Sequence, residues 1–277
     1  MQLVVFNKQK LSSIITVCLV VIVVLVCVRL GFWQLQRADQ KQQQLNAIEN
    51  IQVPLSSDFE LEVDAILAAI KPETKLLFIC SPNNPTGNFI DQKTIKEYAD
   101  AFKGLLVVDE AYVDFSSENS NLSLLVDVPN LVILQTFSKA WGMAGARLGM
   151  AFAGVEIIDT LNKIKPPYNV NTLSQKEAII ALNNASKTNN QIKSIIEERD
   201  NLVTQLQELN HVVKIFPSEA NFLLVEFKNA DVLFNKLIEK GIIVRNRTSQ
   251  VKDCIRITVG TAEENTLLLK TLKDMQG

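Results

Sequence analysis

The stretch TFSKAWGMAGARLG, Thr136–Gly149, begins one residue after the apolar run Leu131–Leu134, which is typical of a buried β-strand. Lys139 in this stretch can form a Schiff base with an aldehyde cofactor. If that cofactor carries a phosphate, two hydroxyls and one planar cation are available to bind it, on Thr136, Ser138 and Arg147. Most Ser-Lys pairs are solvated residues where a strand meets a turn. The stretch alone therefore favours a cofactor site only modestly.

Two further apolar runs also end in polar residues. One runs into Asp109, with Tyr112 three residues later, and the other runs into the turn SPNNPTG, which contains Asn84. Open α/β sheets bind ligands at the carboxyl ends of their strands. An anion such as Asp109 would keep the pyridine nitrogen of pyridoxal phosphate protonated, and Asn84 and Tyr112 could contact its ring oxygen. A strand-end acid can also cap a helix, and Asn-Pro is ordinary turn chemistry. Three such groups in the order Asn, Asp, Lys nevertheless favour a pyridoxal phosphate site.

This arrangement resembles the fold-type I aminotransferases, from about Val53 to the C-terminus. Within that family it is similar to the histidinol-phosphate aminotransferases, through the segments KPPYNVN at Lys165–Asn171, GIIVR at Gly241–Arg245 and CIRITVGT at Cys254–Thr261. The resemblance implies a homodimeric, pyridoxal phosphate-dependent transaminase of histidine biosynthesis. Its substrates would be histidinol phosphate and the pair glutamate and 2-oxoglutarate.

The resemblance also implies roles for single residues. Lys139 corresponds to the Schiff-base lysine and Asp109 to the partner of the pyridine nitrogen. The remaining cofactor contacts would come from Asn84 and Tyr112 at the ring oxygen, and from Ser138 and Arg147 at the phosphate. The implied substrate-binding residues are Arg256 at the acidic end of the substrate, Arg245 at the substrate phosphate, and Asn171 nearby.

The role of Arg245 has independent physical support. One arginine suffices for a carboxylate, whereas a phosphate dianion has more charge and more acceptor oxygens. Arg245 and Arg256 on neighbouring strands therefore suit histidinol phosphate, and glutamate would use the same site through its carboxylates. The alternative is that Arg245 is a solvated charge at the end of a strand.

The first 50 residues have a different character. There are no charged residues between Lys10 and Arg29, and the apolar run approaches the roughly 20 residues needed to cross a hydrocarbon core. Phe32 and Trp33 could lie at the interface as aromatic anchors. We therefore expect a single transmembrane helix over about residues 11–30. A cleaved signal peptide is disfavoured because no small-x-small site follows the run.

The segment Leu30–Arg37, LGFWQLQR, with Lys41 beyond it, resembles the first membrane helix of the Surf-type cytochrome oxidase assembly proteins. The aminotransferase resemblance implies a longer N-terminal portion, whereas residues 1–50 contain a single glycine, Gly31, and no tyrosine. We therefore expect two partial proteins joined near Asn50, with transaminase activity impaired. The alternatives are a catalytically inactive membrane-tethered fusion or remnant, and an enzyme similar to threonine-phosphate decarboxylase.

The expected fold is α/β. A membrane segment, residues 1–50, would precede an N-terminally incomplete large domain, residues 51–185, with a mostly parallel sheet and flanking helices. A small α+β domain, residues 186–277, would follow and carry the substrate arginines. We expect the catalytic part to face the cytoplasm, where pyridoxal phosphate and histidine synthesis belong. A net charge of −2 gives no indication of a nucleic-acid partner, and neither the four cysteines nor the single histidine suggests a metal site.

Overall fold

The computed structural model describes residues 49–275, together with Arg29, Gln36 and Arg37. The chain divides into two compact units, Met1–Gln52 and Val53–Gly277. Within the described residues, no helix combines the length and the apolar character that crossing a membrane requires. The transmembrane helix predicted over residues 11–30 lies, apart from Arg29, outside the described residues.

The first sheet of the second unit has the strand order β1-β2-β3-β4. Its strands are β1 (Leu76–Cys80), β2 (Leu105–Asp109), β3 (Leu131–Thr136) and β4 (Gly149–Ala153). The first three are parallel and β4 is antiparallel to β3, which agrees with the predicted mostly parallel sheet. Because β1, β2 and β3 run in one direction, Cys80 and Asp109 lie side by side and the residues after all three strands meet at one sheet edge.

Two helices cover this sheet, α1 (Val63–Ala69) and α2 (Gln92–Ala101). Helix α2 begins at an N-cap, Asp91, whose carboxylate accepts a hydrogen bond from the Thr94 amide. Its apolar side, with Ile95 and Tyr98 fully buried, packs against Leu106 and Ile133 of the central strands. This core fixes the strand ends that carry the candidate site.

The second sheet is antiparallel, with the order β5-β6-β8-β7. Its strands are β5 (Val212–Ile215), β6 (Phe222–Phe227), β7 (Arg245–Asn246) and β8 (Cys254–Thr258). One face packs on α5 (Ala185–Leu206), α6 (Ala230–Glu239) and α7 (Ala262–Asp274) through residues such as Leu223, Val225 and Ile255. Alternate residues of a strand point to opposite faces, so Phe222, Cys254 and Arg256 lie on the other face.

The long helix α5 also contacts the first sheet. Arg199 on this helix is buried, and its Nη1 donates hydrogen bonds to the carbonyl of Phe115 at 3.2 Å and to that of Ala220 at 3.1 Å. Phe115 follows β2, and Ala220 precedes β6. The Glu219 carboxylate accepts a hydrogen bond from the Ser117 amide at 2.7 Å across the same junction. The two sheets are thus joined through one buried arginine and one carboxylate.

The remaining helices are α3 (Val155–Ile164) and α4 (Thr172–Asn183). The sequence pattern predicts most of these elements but neither α1 nor β5, and it predicts α5 only from about Gln191. Helix α5 starts six residues earlier, because packing of the buried Thr188 sustains a stretch whose Ser and Asn residues have weak intrinsic helix propensity. The pattern also predicts a strand over Ile242–Arg245, which is paired only at Arg245–Asn246, since the chain first leaves α6 through Gly241 at φ 77°. The predicted boundary at residues 185 and 186 falls at the first turn of α5.

Candidate active site

Lys139 lies in a tight turn between β3 and β4. The turn is closed by hydrogen bonds from the Phe137 amide to the Leu148 carbonyl at 3.1 Å, and from the Gly142 amide to the Lys139 carbonyl at 3.0 Å. Gly142 has φ 66°, a left-handed conformation that favours glycine. Phe137 is buried and anchors the turn, whereas Lys139 is exposed. The lysine is therefore accessible, on a backbone that its neighbours hold in place.

The two predicted hydroxyls have different environments. Thr136 Oγ1 donates to the Leu148 carbonyl at 3.2 Å and accepts from the Ser138 amide at 3.0 Å, so it is committed to the turn. The Ser138 hydroxyl makes no hydrogen bond within the described part of the chain. Ser138 is thus available to an external acceptor, while Thr136 shapes the turn that presents it.

Arg147 follows a short 3-10 turn, Ala144–Ala146, and adopts φ 52° and ψ 43°. A non-glycine residue in this left-handed region costs on the order of 1–3 kcal/mol, and such residues concentrate at functional sites. The exposed guanidinium donates from Nη1 to the Ala144 carbonyl at 3.3 Å and keeps other donors free. The strained backbone therefore presents a cation a few residues from Lys139.

Asp109 ends β2, beside Cys80 of β1 and Leu134 of β3. Its Oδ1 accepts a hydrogen bond from the Ala111 amide at 3.0 Å, which fixes the carboxylate at the sheet edge. Packing around the Cys80 thiol raises its pKa, and the charge of Asp109 raises it further. The half-buried carboxylate can therefore stand beside a cationic ring nitrogen.

Tyr112 connects the lysine turn to the second sheet. Its ring lies 5.0 Å from Lys139 Nζ, measured to the ring centroid, and it packs edge-on against Phe222 with centroids 5.1 Å apart. The guanidinium carbon of Arg256 lies 4.8 Å from the centroid of the same Phe222 ring. Lys139, Tyr112, Phe222 and Arg256 therefore form a continuous line of contacts between residues of the two sheets.

Arg256 is the half-buried cation at the far end of this line. Its Nη1 donates to Asn84 Oδ1 in the loop after β1. Burial lowers the pKa of Arg256; Tyr112 opposes that shift, while Arg247 and Arg245 add to it. Arg245 lies directly opposite Arg256 in the β7–β8 pairing and is exposed. The predicted substrate arginines thus converge, and Asn84 contacts one of them.

Asn171 has a structural role. It is the N-cap of α4, where its Oδ1 accepts from the Ser174 amide at 2.9 Å and its Nδ2 donates to the Ser174 hydroxyl at 2.9 Å. Ser174 in turn donates to the Ala146 carbonyl at 2.8 Å, beside Arg147. Both ends of the Asn171 amide are occupied, so its predicted contact with a substrate stays a prediction.

The sequence interpretation missed Glu110. This carboxylate is 1% exposed and accepts four hydrogen bonds, from Ser120 Oγ, Gln135 Nε2, and both the backbone amide and Nδ2 of Asn121. They tie the loop after β2 to β3. The sequence signal for this buried role is the pair of adjacent acids, Asp109 and Glu110. Successive side chains at the end of a strand point to opposite sides, so the two carboxylates have different environments.

The arrangement can hold a flat, phosphorylated aldehyde. Lys139 offers an amine, Asp109 an anion, and Ser138 and Arg147 donors to a phosphate, while Tyr112 and Phe222 provide an aromatic wall. The arginines beyond that wall can bind a second, acidic molecule. Such a site suits group transfer between a cofactor and an anionic substrate.

Known proteins resemble this chain along most of its length. Residues 40–272 match the model of the family described as aminotransferase class I and II. The histidinol-phosphate aminotransferase of Flavobacterium johnsoniae is 49% identical over 231 residues, which cover 83% of this chain and 66% of the relative. That of Cytophaga hutchinsonii is 48% identical over 231 residues, with the same coverage of 83% and 66%. The chain thus spans a little under two thirds of the length of these curated relatives.

A solved structure gives the same result for the fold. The histidinol-phosphate aminotransferase of Sinorhizobium meliloti, determined in complex with pyridoxal-5'-phosphate, superposes with a TM-score of 0.73 at 26% identity. The superposition covers 81% of this chain and 65% of that one. The chain belongs to the aminotransferase class I and II family.

Proposed function

We propose that this chain binds pyridoxal phosphate and transfers an amino group between histidinol phosphate and 2-oxoglutarate. The observation that carries the proposal is the line of contacts from Lys139 through Tyr112 and Phe222 to Arg256. This line connects Lys139, whose amine would bind the cofactor, to Arg256, whose guanidinium would bind an acidic substrate. The curated relatives at 48–49% identity carry the same activity in their names, which favours this function over a phosphate-recognising decarboxylase.

The cofactor, when bound, supplies an electron sink for negative charge that develops at the carbon bearing the amino group. Lys139 would hold the cofactor through its aldehyde, and the Lys139 amine would carry a proton to or from the substrate carbon. Asp109 would favour a protonated ring nitrogen, because an opposite charge at contact distance favours the charged form. Ser138 and Arg147 would hold the phosphate, and Tyr112 would orient the ring.

The substrate side uses the arginines. Arg256 and Arg245 bind the phosphate of histidinol phosphate in one half-reaction and a carboxylate of glutamate or 2-oxoglutarate in the other. Asn84 holds Arg256 from the loop after β1, which sets the distance between the anionic end of the substrate and the lysine turn. Because a small displacement of reacting groups costs orders of magnitude in rate, this contact matters for catalysis.

The test is turnover by the purified full chain, with histidinol phosphate and 2-oxoglutarate and saturating pyridoxal phosphate. Histidinol without its phosphate serves as the matched donor. We expect turnover with the phosphorylated donor, and a value of kcat/KM at least about tenfold lower with histidinol, since one lost charge-assisted hydrogen bond is worth about that much. Equal rates with both donors would contradict the substrate assignment, and a lack of turnover would favour an inactive remnant.

We also propose that residues 11–30 cross a membrane, that the catalytic part faces the cytoplasm and that the protein is a homodimer. The first proposal rests on the uncharged run between Lys10 and Arg29. An alkaline carbonate wash of membranes tests the membrane helix, because a spanning helix stays in the pellet.

The proposal of a homodimer is supported by exposed apolar residues of α4, including Leu173 and Ile180. Light scattering of the detergent-solubilised chain, corrected for detergent, would contradict it by giving a monomer mass.

A further inference from the structure

The edge of the second sheet carries a third arginine, Arg247, beside the two already assigned. The Arg247 amide donates to the Cys254 carbonyl at 3.0 Å, which continues the ladder in which Arg245 faces Arg256. Residues two apart along a strand point to the same face. Arg245, Arg247 and Arg256 therefore share one face of the sheet, the face on which Phe222 and Tyr112 lie.

The residue between the two arginines of β7 supports this orientation. Asn246 Nδ2 donates to the Asp231 carboxylate at 2.6 Å, at the start of α6. Helix α6 covers the opposite face of the sheet, where Leu233 and Leu237 belong to its core. Asn246 thus points to the helices, and its two neighbours point to the candidate site.

Arg247 is held in position but only partly satisfied. Its carbonyl accepts hydrogen bonds from the amides of Gln250 and Val251, both at 2.8 Å, which fix the base of the loop between β7 and β8. Nη1 donates to Gln250 Oε1 at 3.3 Å, whereas the buried Nε has no hydrogen-bond partner among the described residues. A buried donor without a partner carries a free-energy cost unless a ligand supplies an acceptor.

The three guanidinium groups also lack countercharges. Within the described residues, no carboxylate forms an ion pair with Arg245, Arg247 or Arg256. In the same part of the chain the buried Nε of Arg256 has no hydrogen-bond partner either, and both neighbouring arginines lower the pKa of Arg256. Like charges gathered at one edge repel one another, and an anion with two charges offsets that repulsion better than an anion with one.

We propose that Arg247 is a third phosphate-binding arginine, which selects a phosphate monoester dianion over a carboxylate. The inference rests on the proposed function and deepens it. A carboxylate has two oxygens and is satisfied by one planar arginine, whereas a phosphate presents three oxygens. Arg256 serves both substrates, and Arg247 contributes mainly when the phosphate is bound.

The experiment measures equilibrium binding by calorimetry to the full chain loaded with pyridoxal phosphate. The ligands are histidinol phosphate, histidinol and 2-oxoglutarate, and the variants are Arg247→Gln and Arg247→Lys. Lys252→Gln is the matched control, because Lys252 is an exposed cation of the same loop. Thermal melting of each variant accompanies the titrations. Should Arg247→Gln fail to fold, Arg247→Lys keeps the charge and removes the planar fork.

We expect Arg247→Gln to weaken binding of histidinol phosphate by about 10- to 100-fold, the range for losing one hydrogen bond to a charged group. Binding of histidinol and 2-oxoglutarate should change by less than about threefold on the same scale. The affinity of Arg247→Lys for histidinol phosphate should lie between those of Arg247→Gln and the unsubstituted chain. The affinity of Lys252→Gln should match that of the unsubstituted chain.

Two results would overturn the inference, and they differ in their meaning. If the unsubstituted chain prefers histidinol phosphate over histidinol, but Arg247→Gln leaves that preference intact or weakens all three ligands equally, the role of Arg247 is wrong and the proposed function stands. If the unsubstituted chain shows no preference for the phosphorylated ligand, the proposed function and the inference fail together.

Discussion

Arg256 and Asn84 are separated by 172 positions in the sequence, and the guanidinium of the first donates a hydrogen bond to the side-chain oxygen of the second. The contact joins β8 of the second sheet to the loop after β1 of the first. It fixes one donor of a cation whose Nε has no partner in the part of the chain that the structure describes. An asparagine suits this position, because it orients the arginine without neutralising it.

That relationship predicts effects of different size for two substitutions of Asn84. Asn84→Ala should raise KM for both acidic substrates by about 2- to 10-fold, the effect of one modest hydrogen bond. Asn84→Asp should raise it further, because a carboxylate against Arg256 competes with the substrate anion. Steady-state kinetics measure both, with Asn201→Asp on an exposed turn of α5 as the control. Equal effects of the two substitutions would rule out a competing charge.

Lys139→Ala should remove covalent attachment of the cofactor and leave its phosphate contacts in place. The physical reason is that Lys139 is the lysine that packs over Tyr112, next to the sheet edge of Asp109. Borohydride reduction followed by peptide mass analysis measures the trapped cofactor. Lys103→Ala, on an exposed lysine before β2, provides the control. A trapped adduct on another lysine of the Lys139→Ala variant would show that the assignment is wrong.

Glu110→Gln should destabilise the fold by about 3 kcal/mol, since a buried carboxylate that accepts four hydrogen bonds is replaced by a group that can accept at only one oxygen. Urea unfolding of the two proteins measures the difference. Glu118→Gln removes an exposed charge from the same loop and should have little effect. A similar loss in both variants would mean that charge, rather than hydrogen bonding, is responsible.

We expect the free energy of unfolding to depend on pH because of His211, the single histidine of the chain. Burial lowers its pKa in the folded state, and Lys228 lowers it further. The unfolded chain then binds more protons than the folded chain below about pH 6.5, so stability should fall as the pH drops through that value. The difference in unfolding free energy between the unsubstituted chain and His211→Gln, followed from pH 7.5 to 5, isolates this group. A difference in unfolding free energy that does not change with pH would contradict the prediction.

The two described cysteines should differ in reactivity toward a membrane-impermeant thiol reagent. Cys80 is exposed, whereas Cys254 is buried and its pKa is raised to about 12, by burial first and then by Glu226 and Asp253. Because Cys80 is exposed, the reagent can reach its thiol, although packing raises the pKa of that thiol. If the catalytic part faces the cytoplasm, labelling that is lost in Cys80→Ser should appear only after cells are permeabilised. Labelling of Cys80 in intact cells would place the catalytic part outside the cytoplasm.

The strand ends were predictable from the sequence because local signals define them. The apolar runs that end shortly before Asn84, at Asp109 and shortly before Lys139 specify three neighbouring strands of one sheet, and the carboxyl ends of these strands meet at one edge. The partners across the two sheets were not predictable in the same way. The contacts of Arg256 with Phe222 and Asn84 depend on packing between distant segments, which no local pattern encodes.

Two other residues show where local patterns had more to offer. Asn171 lies three residues before Ser174 at the start of a helix, a spacing that is typical of an N-cap, and the family resemblance drew attention to a substrate role instead. Arg247 stands two positions after Arg245, and alternation along a strand would have placed both on one face. The sequence interpretation stopped at Arg245, because the loop that follows gave no sign that the ladder continues.

The junction at Arg199 has a mechanical consequence. The bonds from its guanidinium to the carbonyls of Phe115 and Ala220 hold the turn after β2 against the segment before β6. Arg199 also lies 3.9 Å from the Glu219 carboxylate, and breaking the two bonds would leave this buried cation with fewer partners, which is costly. A relative movement of the two sheets that keeps these bonds therefore leaves the turn at Phe115 and the segment at Ala220 in contact.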